Sequence, residues 1–151
     1  MLILRPAGAA DVCRLAAVAT AAYQGYVHRI GRAPAPMTAD YAAAVSDGQV
    51  WVAEEDEEIV GLLVLVARPG HLLLENIAVL PSAQRRGIGA RLLELAEDRA
   101  RQLRLGEIRL YTNEAMTENL AYYARHGYIE THRAEQDGFR RVFLAKALYG
   151  P

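Results

Sequence analysis

A mixed α/β fold is the class the sequence predicts, with the element order β-α-α-β-β-β-α-β-α-β-β. Three observations predict it. Strand-like apolar runs alternate with stripes at helical spacing, and turn residues sit at the joints. One run, LLLENIAVL (72–80), is almost continuously apolar, as in a strand covered on both faces in the middle of a sheet. The length of 151 residues, 52% hydrophobic and 23% charged, suits one domain that buries its own core.

Each element has a local cause. LILRPA (2–7) is a short strand ended by proline. From Asp11 to about His28, Val12, Leu15, Ala16, Val18, Ala19, Ala22, Tyr23, Tyr26 and Val27 recur at helical spacing, with Asp11 placed to cap. GRAPAPM (31–37) carries two prolines and ends that helix. TADYAAAVSDG (38–48) predicts a short second helix, capped by Thr38 and stopped at Gly48. QVWVAEE (49–55) and EIVGLLVLVA (58–67) form a hairpin about an acidic turn, and the central strand follows. Residues 87 to about 104 predict a helix with Ile88, Leu92, Leu95, Ala96 and Leu103 on one stripe and a Glu97–Arg101 pair on its surface. EIRLYTN (107–113) is a strand, and TENLAYYARHGY (117–128) a helix ending at Gly127 with Arg125 and His126 in its last turn. YIETHRAEQDGFRRVFLAKAL (128–148) reads as two strands about an Asp-Gly turn.

Composition removes several function classes. A formal net charge of −1 provides no basic face for nucleic acid. No apolar stretch approaches the roughly 20 residues that cross a membrane, and MLILRPAG lacks the layout of a signal peptide, so a cytoplasmic protein with no membrane partner is expected. The single cysteine, Cys13, excludes an internal disulfide and reads as a small core residue. The four histidines show no metal-ligand spacing, and no metal is expected.

The chemistry concentrates in LPSAQRRGIGA (80–90). Glycine inside a helix costs roughly 0.5–1 kcal/mol relative to alanine, yet Gly87 and Gly89 stand where a helix begins. The first turn of a helix exposes N–H groups without internal partners, and an anion reaches them only where side chains stay clear. Arg85 and Arg86 add positive charge beside it. The stretch reads either as a pyrophosphate cradle or as a glycine-softened helix start with solvated arginines. It matches neither the nucleoside-triphosphate loop nor the dinucleotide fingerprint.

QRRGIG (84–89) does resemble the Gln/Arg-x-x-Gly-x-Gly/Ala signature of the GNAT superfamily of acyl-CoA-dependent N-acyltransferases. LENIAVLP (74–81) is similar to the family's central strand, and ENLAYYARHGY (118–128) to its asparagine-containing helix, in the family's order. The resemblance implies one N-acetyltransferase domain over 1–151, with a mostly antiparallel mixed sheet splayed to admit coenzyme A. It implies that acetyl-CoA is the acyl donor and that Gln84, Arg85, Arg86, Gly87, Ile88, Gly89 and Ala90 hold its pyrophosphate. Ile77, Ala78 and Val79 would line the pantetheine arm, with the Ile77 N–H polarising the thioester carbonyl. Asn119 would contact the cofactor. Tyr123 would protonate the departing thiolate, with Tyr122 as the competing assignment.

Glu75, a lone acid in an apolar strand, is the candidate base for the attacking amine, which burial would make more basic. It shares a sheet face with Ile77 unless a bulge intervenes. The structural alternative pairs it with Arg109, and Glu54 and Glu114 are reserves. The resemblance implies that the first helix and the loop after it flank the acceptor side, where Tyr23, Tyr26, His28 and Arg29 would line a pocket, although Tyr23 and Tyr26 also fit a core stripe. The expected acceptor is a small-molecule or peptide amine, and a homodimer is left open. The rival reading is a non-catalytic acyl-CoA-binding regulatory domain.

Overall fold

The computed structural model describes residues 1–148. Strands β1 (Leu2–Pro6), β2 (Val50–Glu55), β3 (Glu58–Arg68), β4 (His71–Val79), β5 (Glu107–Asn113), β6 (Ile129–Gln136) and β7 (Phe139–Ala147) form one sheet in the order β1-β2-β3-β4-β5-β7-β6. Every neighbouring pair is antiparallel except β4 and β5, which are parallel. Helices α1 (Val12–Tyr23), α2 (Val27–Ile30) and α3 (Tyr41–Ser46) precede β2, α4 (Ile88–Gln102) joins β4 to β5, and α5 (Thr117–Arg125) follows β5. Among the described residues no helix is long and apolar enough to cross a membrane.

Two apolar clusters sandwich the sheet. On one face Leu15, Val18, Ala19 and Tyr41 pack against Val52, Leu62, Val64 and Ala78. On the other, Ile88, Leu92, Ala96 and Tyr123 pack against Leu72, Leu74, Ile108 and Leu110. The α1 stripe anticipated from Leu15, Val18 and Ala19 is the buried one.

Local details depart from the sequence expectation for identifiable reasons. The first helix stops at Tyr23, passes through a tight turn at Gln24–Tyr26, and resumes for one turn as α2. Asp11 does not cap α1, because its carboxylate accepts from Arg5 (2.8 and 3.0 Å) and from the Gly8 N–H (2.8 Å). Asp40 rather than Thr38 caps α3, accepting from the Ala43 N–H at 3.0 Å. Cys13 is exposed rather than a core residue, because it lies off the Leu15, Val18 and Ala19 stripe that α1 buries. On α4 the buried stripe ends at Ala100, leaving Leu103 42% exposed.

The decisive feature is the β4–β5 seam. Only Leu72–Ile108, Leu73–Arg109 and Leu74–Leu110 pair, after which the strands part. At the same level the β3–β4 register jumps from Leu65–Leu74 to Val64–Asn76, so Glu75 is the extra residue of a bulge.

Candidate active site

The parting strands expose backbone. In the β3–β4 ladder the Leu80 N–H donates to the Val60 carbonyl at 2.8 Å, which makes that pair a hydrogen-bonded one. Counting back by twos, Leu62–Ala78 and Val64–Asn76 belong to the same class, while Gly61–Val79 and Leu63–Ile77 do not. The N–H and C=O of Ile77 and Val79 therefore face away from β3, into the gap beside β5. Ala78 commits its backbone to β3, so of the expected trio only Ile77 and Val79 present peptide groups to the gap.

Both freed carbonyls are engaged by side chains. Tyr23 donates its hydroxyl toward the Ile77 carbonyl (2.8 Å) and Asn76 Oδ1 (2.9 Å). Gln84 Nε2 donates to the Val79 carbonyl (3.1 Å), tying the loop ahead of α4 to the end of β4. In that loop Arg85 has φ 65° and Gly87 φ 81°. The Arg91 N–H bonds back to Gly87, but those of Ile88, Gly89 and Ala90 have no backbone acceptor among the described residues. The first turn of α4 thus carries free donors and the positive end of a helix dipole. Arg86 is turned to Glu55, with which it forms an ion pair, while Arg85 stands exposed.

The two glycines serve different ends. Gly87 holds a left-handed conformation and has open space where a Cβ would stand. A Cβ on Gly89 would lie 2.7 Å from the Tyr122 hydroxyl. Gly89 is thus a site of close approach by a side chain of α5. This separates the two tyrosines: Tyr122 packs on the start of α4, whereas Tyr123 turns into the cavity between the strands.

That cavity encloses about 340 Å³ and reaches both faces of the sheet through the gap. On the α5 side it is lined by Asn119 and Tyr123, one turn apart. Tyr123 is 7% exposed, and burial raises its phenol above the ordinary value. Its hydroxyl has no hydrogen-bond partner among the described residues, yet it is absent from the sealed, unpartnered atoms, which are His71 Nδ1 and Tyr128 Oη. It therefore meets the cavity.

On the α1 side the walls are Tyr23, Tyr41, Glu75, Asn76, Tyr111 and Arg141. The bulge puts Glu75 and Asn76 together on this side, with Ile77 on the other. Glu75 is exposed to the cavity rather than buried, a correction to the sequence expectation. The charge of Glu75 helps to raise the phenols of both Tyr41, pushed up to about 12 mainly by burial, and Tyr111. Arg109 pairs with Glu107 and leaves Glu75 free of the expected structural partner.

The buried polar residue of β4 is Asn76, which the sequence reading passed over. Its Nδ2 donates to the Tyr41 hydroxyl (2.9 Å), and Tyr41 in turn donates to the Pro36 carbonyl. Tyr23, Tyr41 and the proline loop are thereby fixed around the bulge. Burial raises the Tyr23 phenol well above its ordinary value.

Other expected acceptor residues lie elsewhere. Tyr26 (3.0 Å) and Arg29 (2.7 Å) both bind the Glu118 carboxylate at the start of α5. They join the Gln24–Tyr26 turn and α2 to α5 and do not line the cavity. His28 is exposed. The reserve acids are occupied: Glu54 pairs with Arg5 (3.1 Å), and Glu114 with Arg140 (3.6 Å). Among the described residues no three His, Cys, Asp or Glu side chains are grouped to hold a metal.

A sequence model described as the Acetyltransferase (GNAT) family matches residues 15–128, which include the central strand, the glycine loop and α5. The chain belongs to the GNAT acetyltransferase family. Solved structures agree on the GNAT fold. The PaiA N-acetyltransferase of Thermoplasma acidophilum, crystallised with coenzyme A, superposes with a TM-score of 0.80 at 17% identity over 97% of this chain and 99% of its own. A ribosomal-protein alanine N-acetyltransferase from Escherichia coli gives 0.79 at 17% identity, covering 100% and 96%. A GNAT-family protein of Desulfovibrio desulfuricans gives 0.80 at 19% identity, covering 99% and 100%. No curated protein sequence matches the chain significantly.

Proposed function

We propose that this GNAT protein transfers an acetyl group from acetyl-CoA to a primary amine, by direct attack with both substrates bound. The observation that carries the reading is the gap between β4 and β5. It opens the Ile77 backbone into one cavity with Tyr123 on one side and Glu75 on the other.

The residues present fit coenzyme A. The unpaired N–H groups of Ile88, Gly89 and Ala90, with Gly87 leaving the approach clear and Arg85 beside it, suit a pyrophosphate. The free N–H groups of Ile77 and Val79 suit the carbonyl oxygens of an extended, amide-bearing arm laid alongside β4. When bound, coenzyme A supplies the activated acyl group as a thioester. The chain supplies the rest: the Ile77 N–H donates toward the acyl oxygen, where negative charge grows. Tyr123, kept protonated by burial, delivers a proton to the departing sulfur.

Glu75 stands on the opposite face of the sheet and takes a proton from the amine, directly or through water. Its exposure to the cavity suits a base that must meet a soluble ammonium. A thiol-release assay with acetyl-CoA, run with and without a broad panel of amines and N-terminal peptides, tests the reading. Amine-dependent release is expected. Tight acyl-CoA binding with no release on any amine would favour a regulatory binding domain instead.

A further inference from the structure

The acceptor end of the cavity contains a cation that the proposed chemistry does not use. Arg141, on β7, is 8% exposed and lines the cavity. Its guanidinium lies over the Tyr111 ring at 4.2 Å and 5.5 Å from the Phe139 ring. Directly opposite residues on β5 and β7 share a face, so the Asn113–Arg141 register puts Arg141 on the face of Tyr111. That is also the face carrying Glu75.

Burying a guanidinium is costly unless it is paired. Here the pairing is incomplete and one-sided. One terminal nitrogen, Nη1, takes both contacts, Gln136 Oε1 at 2.6 Å and Asp137 Oδ2 at 3.5 Å. The Asp137 side chain is 78% exposed, so that contact is largely screened. Nε and Nη2 have no partner among the described residues, and neither is among the sealed, unpartnered atoms. They meet the cavity as a fork of free donors, the geometry that takes a carboxylate in bidentate fashion.

We infer that the acceptor is a small amino acid, held by its carboxylate on Arg141 and presenting its amine to Glu75. The inference rests on the acetyl-transfer reading and narrows its substrate class. A zwitterion places opposite charges a few bonds apart, and the cavity wall offers the complementary pair, an arginine and an acid that line one face together with Tyr111. Tyr111 feels both, its phenol being raised by burial and by Glu75 and lowered by Arg141. A peptide N-terminus carries the amine without a neighbouring carboxylate and would leave the fork unpaired.

The test compares each of a set of free amino acids, including glycine, alanine, β-alanine and glutamate, with its primary amide. Thiol release from acetyl-CoA by the wild-type protein is followed for each pair. A charge-assisted bidentate contact made by one partner only is worth roughly 1.5–3 kcal/mol, so kcat/KM for the best acid should exceed that of its amide by about tenfold or more. Arg141→Gln should abolish that preference, bringing kcat/KM for the acid close to that for its amide. A purely structural arginine would lower kcat for both. The wild-type comparison stands even if the variant does not fold. Amides or peptide amines used as well as acids would overturn the inference and leave acetyl transfer standing. No release with any amine would overturn acetyl transfer, and the inference with it.

Discussion

Tyr23 donates its hydroxyl to the main-chain carbonyl of Ile77 at 2.8 Å, so a helix on one face of the sheet holds the strand residue whose N–H faces the gap. The bond is available only because Ile77 lies outside the β3–β4 ladder, beyond the bulge at Glu75. The same hydroxyl reaches Asn76 Oδ1, and Asn76 reaches Tyr41. Through these bonds α1 and α3 set the shape of the splayed strand.

Tyr23→Phe should therefore cost about 1 kcal/mol of stability, the usual net worth of one such hydrogen bond, with more if the Ile77 carbonyl finds no other donor. Asn76→Ala should cost roughly 1–3 kcal/mol, because it removes two hydrogen bonds at once, those to the Tyr23 and Tyr41 hydroxyls. Urea denaturation of both variants checks the ranking. Equal and negligible losses would show that the network does not hold the bulge.

The contact of Tyr122 with Gly89 predicts coupling between two variants. Gly89→Ala alone must push the Tyr122 ring aside, at a cost of roughly 1 kcal/mol or more, as for other overpacked sites. Tyr122→Phe removes the hydroxyl that the new Cβ would meet. The double variant should recover much of the loss in denaturation and in coenzyme A affinity by calorimetry, an interaction visible in a double-mutant cycle. Strict additivity would refute the close approach.

Burial of Tyr23, Tyr123 and Tyr128 raises their phenols in the folded protein. A group whose folded value lies above its unfolded one contributes stability fully below the unfolded value and loses it as pH rises. With free tyrosine near 10, stability should hold up to about pH 10 and fall above it as the unfolded chain ionises. Phenolate absorbance should rise with unfolding rather than before it. Titration of all the tyrosines at about pH 10 without unfolding would contradict the burial.

Tyr123→Phe should lower kcat by about 10²–10⁴, the range for loss of general acid catalysis, with little change in coenzyme A affinity. Since burial keeps the phenol protonated, wild-type kcat should not fall on this group's account below about pH 10, the value of a free phenol. pH–rate profiles of the two proteins make the comparison. Unchanged turnover in the variant across alkaline pH would remove the acid role from Tyr123.

Much of this was legible in the sequence because it rests on periodicity and turn chemistry. The seven strands, the α4 and α5 helices and the Asp137–Gly138 turn follow from patterns confined to a few neighbouring residues. The loop QRRGIG carried its glycines in view, and the family match includes it. What the sequence withheld depends on pairing between distant segments. The bulge that turns Glu75 away from Ile77 is a matter of register against β3. Asn76 looked like any polar residue next to a more conspicuous acid, until Tyr23 and Tyr41 arrived from 53 and 35 residues away. Tyr26 and Arg29 have the chemistry of a pocket wall, but Glu118, far along the chain, claims both. Arg141 sat in an ordinary charged strand, and only its burial against Tyr111 marks it.

The central claim is that amine and thioester meet across one gap with no covalent enzyme intermediate. Initial velocities of thiol release, measured over a grid of acetyl-CoA and amine concentrations, test it most directly. The arrangement of Ile77, Tyr123 and Glu75 about a single cavity predicts intersecting double-reciprocal lines, as for a ternary complex. Parallel lines, the mark of an acylated enzyme, or release that ignores the amine, would contradict it.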